Sequence, residues 1–114
     1  MAELNPENTL QKCVELAADK KARDIVSLRL QDTTVCDYFL LVTAANTRQA
    51  QSVCDNIEEG MKAAGQPPLR IEGYNDAHWI LMDMSSVIVH IFLPETREYY
   101  DLEHLWGNAE RAEY

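Results

Sequence analysis

Positive charge is scarce in this sequence: 10 Lys and Arg stand against 19 Asp and Glu in 114 residues, a formal charge of −9. Phosphate binding runs on Lys and Arg, so direct grip on naked nucleic acid is disfavoured and a basic partner is favoured instead. Glycine is equally thin, four in all, and there is no Walker-type loop, no GxGxxG and no GxSxG. That leaves little for a phosphate cradle or a nucleophile elbow, and no cofactor is expected. The three cysteines, Cys13, Cys36 and Cys54, form no CxxC and no Cys–His spacing suited to zinc. An odd count fits free thiols in a reducing cytoplasm better than a secreted disulfide framework. Apolar runs stay far short of the roughly 20 residues that cross a bilayer. The stretch from Met1 to Glu7 is neither apolar nor Arg-rich, so no signal or transit peptide is expected.

What is present suits one globular domain over 1–114. At 46% hydrophobic, the chain can bury a core without staples. Asn5-Pro6-Glu7 reads as a cap, a first-turn proline and an acid at a helix start, with Leu10, Cys13, Val14 and Ala17 on one face, so a helix is predicted near 6–21. Val26, Leu28 and Leu30 alternate with polar residues, giving a half-solvated strand over 24–30. Tyr38 to Thr43 is a nearly continuous apolar run, suited to a central strand buried on both faces. Asn46 and Gln49 make a capping box for a second helix through Ala50, Val53, Cys54, Ile57, Met61 and Ala64, with Gly65 at its left-handed end. Strands are predicted over 69–73, 79–84 and 87–92, the last two joined tightly through Ser85-Ser86. Short helical turns follow Pro94 and Asp101, with Leu102, Leu105 and Trp106 returning to the core and 108–114 frayed. The order α-β-β-α-β-β-β-α implies an α+β sandwich, a mixed five-stranded sheet with helices packed on it.

Few residues suggest chemistry. His90 shares a strand face with Ile88 and Phe92 and would need Asp83 or Asp37 to orient it as a base; the simpler reading is a packed histidine hydrogen-bonded to backbone or a carboxylate. Asp37 precedes the central strand and Asp83 lies within another, so two carboxylates could meet at one sheet end to bind a divalent metal; an Asp before a strand more simply caps a turn, and the Gly-Ser turn and Asp-x-Asp pair of nucleotidyl transfer are lacking. Trp79, Ile80, Met82 and Met84 suit either plain core packing or a protein-binding surface with the indole as a hot spot. Alternation puts Trp79 and Leu81 on one face, and Ile80, Met82 and Met84 on the other. Between Pro94 and Tyr114, six acids and two bases surround Tyr99 and Tyr100, which reads either as a solvated helical end or as a mixture that can steer and anchor a basic protein.

Several stretches also come in a familiar order: Asp24-Ile25-Val26, Cys36-Asp37-Tyr38-Phe39, Thr43 with Arg48, Ile71-Glu72-Gly73, Trp79 to Asp83, Val87 to Phe92, and Arg97 to Trp106. From about residue 8 to 107 the chain resembles the ribosomal silencing factor family, also called Iojap-related. The resemblance implies a nucleotidyltransferase-like fold with no known enzymatic activity. It also implies binding of the large ribosomal subunit through universal ribosomal protein fourteen on the intersubunit face, which blocks small-subunit joining when nutrients fail. The family contact surface maps onto Trp79 and Met84, and the charge pattern adds Tyr99, Tyr100 and Asp101. An acidic ribosome binder is consistent if it docks on a basic protein with little RNA contact. Other readings remain: an adaptor in large-subunit assembly, or a nucleotidyltransferase-like enzyme using Asp37, Asp83 and His90. A homodimer through a sheet edge or apolar face is also left open. Three positions depart from the family pattern: Ser85 and Ala44 replace common glycines, and Gln49 a common histidine.

Overall fold

The structure, a computed structural model, describes residues 5–31 and 36–114. The polar connection expected over 31–37 lies mostly outside the described residues, as does the start of the N-terminal stretch.

Helix α1 spans Pro6–Asp19, with the Asn5 side chain accepting the Asn8 N–H at 2.8 Å. It buries Leu10, Cys13, Val14 and Ala17, the stripe its periodicity predicts, together with Thr9. Lys21 ends it at φ +68°, and the N–H groups of Lys21 and Ala22 donate to the carbonyls of Ala18 and Ala17. Helix α2, Thr47–Ala63, is capped by Asn46, which accepts the Gln49 N–H at 2.8 Å. The Gln49 side-chain oxygen reaches back to the Ala45 N–H at 2.6 Å, while its nitrogen donates to the carbonyls of Lys20 and Lys21. One glutamine therefore both caps α2 and satisfies orphan carbonyls at the end of α1. Gly65, at φ +83°, closes α2 through the paired bonds of a left-handed cap. The two helices pack side by side: a Cβ on Gly60 would lie 2.5 Å from the Leu16 methyls.

The strands are β1 (Arg23–Arg29), β2 (Tyr38–Thr43), β3 (Arg70–Glu72), β4 (Trp79–Asp83), β5 (Val87–Phe92) and β6 (Glu110–Glu113). Their order is β3-β4-β5-β2-β1-β6; β2 and β5 run parallel and the other neighbours antiparallel. The α+β sandwich with a mixed sheet is as expected, but with six strands among the described residues rather than five. The extra strand comes from the tail expected to fray. Glu110–Glu113 carries no apolar alternation because it is exposed on both faces at the sheet edge. It is held by backbone pairing to β1, by a Tyr114 hydroxyl 3.0 Å from Ser27 Oγ, and by Arg111 against Glu103 at 3.2 Å.

Two cores result. One lies between the sheet and α1 and α2, and includes Leu40, Val42, Ile80, Met82, Met84, Val87, Val89 and Ile91. The other lies on the opposite face, formed by Val26, Leu28, Leu30, Phe39, Leu41 and Phe92. The C-terminal helices α3 (Pro94–Tyr100) and α4 (Leu102–Leu105) serve this second face, laying Leu102 and Trp106 on it. Leu105, expected in the core, is instead 71% exposed: a one-turn helix turns only its i and i+4 positions inward.

The β4–β5 hairpin turns at Ser85, which sits at φ +71° with the Ser86 N–H bonded to the Met84 carbonyl. That is a strained γ-turn centre for a residue with a Cβ. The Asp83 carboxylate steadies it by accepting the Ser85 N–H at 2.8 Å.

Arg97 fastens the C-terminal segment to the sheet. Its Nη1 donates to the Asp24 carbonyl at 2.6 Å and to Thr43 Oγ1 at 2.8 Å, and its Nε to Glu103 at 3.0 Å. A one-residue bulge between Arg23 and Val26, with Asp24 at φ +49°, turns that carbonyl toward the guanidinium. Arg97→Met keeps the aliphatic stem but leaves Glu103 with Arg111 alone and strips the Asp24 carbonyl and Thr43 Oγ1 of their donor, so about 2–3 kcal/mol of stability should be lost. Denaturant unfolding with an unchanged slope reads the loss, and a change under about 0.5 kcal/mol would show that the ion pair is dispensable.

Candidate functional site

The second sheet face is covered only in part. Its β1–β2 half carries α4 and Trp106; toward β3 and β4 the cover runs out. Strand pairing places Leu81 opposite both Glu72 and His90, and Asp83 opposite both Arg70 and Ile88, all on this face. Trp79, Leu81 and Ile88 are each half-buried, and Glu72, Gly73, Trp79 and Leu81 line a shallow open hollow. Gly73 permits the hollow: at φ +78° its position is closed to a side chain, since a Cβ there would meet the Trp79 carbonyl at 2.2 Å.

Trp79 is the centre of an aromatic group. Its ring centroid lies 5.0 Å from Phe92, 4.7 Å from Tyr100 and 5.9 Å from His90. Its Nε1–H donates to His90 Nδ1 at 3.0 Å. His90 is 4% exposed and also sits 4.6 Å from Phe39. With Nδ1 accepting, the neutral ring carries its proton on Nε2, which has no hydrogen-bond partner among the described residues. Burial among these rings holds the imidazole well below its ordinary value, at about 4.

The expected contact residues divide. Trp79 and Tyr100 are in contact, Tyr99 is 81% exposed and 5.0 Å from Tyr100, and Asp101 adjoins them. Asp101 is also committed to the fold: at φ +46° it ends α3, and its carboxylate accepts the His104 N–H to begin α4. Met84 is not part of this patch. The β4–β5 register is unbroken, so alternation carries Met84 to the helix-covered face, where it is 8% exposed. It lines a separate groove with Pro6, Gly65, Pro67 and Leu69. The resemblance had joined Trp79 and Met84 in one surface; in this geometry they lie on opposite faces of the sheet.

Nor does the structure assemble the enzymatic alternative. Asp37 and Asp83 do meet at the same end of the sheet, where the Asp37 N–H bonds to Ser86 and Asp83 braces Ser85. His90 lies further along β5, enclosed by the aromatic group. Among the described residues no cluster of three or more His, Cys, Asp or Glu is placed to hold a metal ion. The thiols are inert at neutral pH: burial pushes Cys13 and Cys54 up to about 12, and Cys36 to about 11. Leu81 and Ile88 were not singled out from the sequence, although alternation with Trp79 and His90 carries the signal. Arg97 showed only as one base among many acids.

A profile of the family described as "Ribosomal silencing factor during starvation" matches residues 3–114. The ribosomal silencing factor RsfS of Halalkalibacterium halodurans is 33% identical over 111 residues, covering 96% of this chain and 95% of that protein. A mouse protein named "Mitochondrial assembly of ribosomal large subunit protein 1" is 32% identical over 97 residues, covering 82% of this chain and 42% of its own length. Among solved structures, a crystal structure from Chromobacterium violaceum superposes with a TM-score of 0.87 at 30% identity, covering 93% of this chain and 88% of that one. One from Bacillus halodurans gives 0.84 at 32% identity, covering 95% and 99%. Among the described residues no helix is long and apolar enough to cross a membrane.

The buried imidazole has a testable titration. Its folded pKa near 4 lies below the unfolded value of about 6.5, so between these the unfolded chain binds a proton that the native one does not. Stability from this group is therefore complete above about pH 6.5 and falls by about 3 kcal/mol as the pH drops to 4. Imidazole NMR shifts of His90 should show no transition above about pH 5, with Nε2 as the protonated nitrogen. A midpoint near the ordinary value of about 6.5 would contradict the enclosed ring.

Proposed function

Because the chain belongs to the ribosomal silencing factor family, we propose that it represses translation in the cytoplasm by occupying the large ribosomal subunit so that the small subunit cannot join. Its contact is a basic ribosomal protein on the intersubunit face, universal ribosomal protein fourteen by the resemblance. The surface it presents is the open half of the second sheet face: Trp79, Leu81 and Ile88, with Tyr99, Tyr100 and Asp101 alongside. The observation that carries this reading is an aromatic anchor left half-covered where the C-terminal cover of the sheet runs out, in a chain of charge −9. A hot spot needs a large, rigid side chain at the centre of a patch that becomes dry on contact, and Trp79 has that form. The acidic excess speeds encounter with a basic partner, and nearby RNA phosphate penalises misdocked poses.

Steric exclusion needs no bond making, so the protein is proposed as a binder and not an enzyme; binding free energy is the whole mechanism. A role in large-subunit assembly is favoured by one specific observation, the name of the mouse relative. It would use the same surface on an earlier particle. Pairing of two copies over the open apolar patch would hide Trp79, and so would compete with the ribosome.

Purified protein should co-sediment with isolated large subunits and lower their joining with small subunits. Trp79→Ala should weaken large-subunit binding by about 2 kcal/mol or more, roughly 30-fold in Kd, in a variant that still unfolds cooperatively. Full affinity in the folded variant would remove Trp79 from the contact. Absence of co-sedimentation by the unaltered protein would defeat the proposal.

A further inference from the structure

We infer that His90 is a positioning residue for docking: by accepting the Trp79 indole N–H from inside the sheet face, it holds that ring in the pose the ribosomal partner meets. This rests on the proposed docking surface and assigns a role to a residue that itself has no access to a partner.

The geometry is specific. An indole has one polar group, the Nε1–H donor, and here it is consumed internally at 3.0 Å. Trp79 is the first residue of β4, beside the loop that carries Gly73, and only part of its surface is packed. Phe92 and Tyr100 flank the ring at tilts of 34° and 47° rather than clamping it in a flat stack. Ring contacts of this kind hold distance more tightly than direction, whereas the N–H···N bond fixes both. His90 can accept because it is neutral, and it is itself locked by Phe39 and by Phe92, stacked at 8°. The imidazole is thus a rigid post behind a half-exposed anchor.

Two consequences follow for recognition. Orienting the indole before encounter removes an ordering cost that a loose side chain meets on binding. With its only donor turned inward, the ring offers a partner carbon surface alone. The matching groups are aliphatic side chains, or the stems and cationic heads of Lys and Arg laid over the ring, in keeping with a basic partner.

Two substitutions separate orientation from packing. Asn places an amide oxygen where Nδ1 stands and keeps an acceptor; Leu removes the acceptor but fills the apolar site better. A purely structural residue would make the Leu variant the better binder, because it should be at least as stable. The expected order is the reverse. His90→Asn should bind isolated large subunits within about threefold of the unaltered protein, while His90→Leu loses about tenfold, the size of one lost ordering advantage. In the free protein, the Trp79 indole N–H resonance should keep its hydrogen-bonded shift in His90→Asn and move in His90→Leu, which tests the bond without the ribosome. Affinities that follow melting temperature, or a His90→Leu protein that binds normally, would overturn the inference while leaving the docking surface standing. Failure of the unaltered protein to bind large subunits would overturn both.

Discussion

A sheet of this width has two faces to cover, and the chain has two long helices, both spent on the same one. Everything distinctive about the molecule follows from how the other face is treated. Its cover is the short C-terminal run from Pro94, and that run holds position because one guanidinium bonds α3 to the start of β1, the end of β2 and α4. Magnitudes decide which ion pairs matter. Lys62–Glu58 and Arg70–Glu72 are largely solvated, and pairs of that kind contribute about 0–1 kcal/mol. The Arg97 side chain is 11% exposed and meets three acceptors where solvent screening is weak, so it outweighs either solvated pair. Arg111 then ties β6 to the same Glu103.

The cover is also too short, and the patch it leaves open is the proposed docking surface. It seals Leu28, Phe39, Leu41 and Phe92 but stops at Tyr100, leaving Trp79, Leu81 and Ile88 at the boundary between core and solvent. A stable contact buries about 800 Å² per partner, and a micromolar complex needs about −8 kcal/mol. A few anchors near 2 kcal/mol each, helped by steering from the acidic excess, suffice for that.

Where periodicity is strong, the sequence is a reliable guide. Tyr38–Thr43 and Val87–Phe92 are the strands that their runs of β-formers predict, and α2 begins and ends at the cap and glycine that its chemistry demands. Alternation along β4 also separates Trp79 from Met84 correctly, against the pooling of the two that the resemblance implied. The failures share one cause: local patterns are silent about partners distant in sequence. Glu110–Glu113 reads as frayed because its strand character comes from β1 and not from its own side chains. Leu105 reads as core because its hydrophobicity is visible and the brevity of its helix is not. Arg97 reads as a surface charge, since its acceptors lie 73 and 54 residues away. Of the docking surface, Trp79 and Tyr100 are legible as residue types, but their contact, and the histidine behind them, exist only once β4, β5 and α3 are brought together.

The central claim is that the open half of this face, and no other surface, meets the large subunit. Placing a photoreactive benzoylphenylalanine at Leu81, and separately at Leu69, which is 72% exposed beside the groove on the opposite face, tests it directly. On irradiation with large subunits, the group at position 81 should cross-link to a basic ribosomal protein while that at 69 does not. Cross-linking from 69 with none from 81 would contradict it.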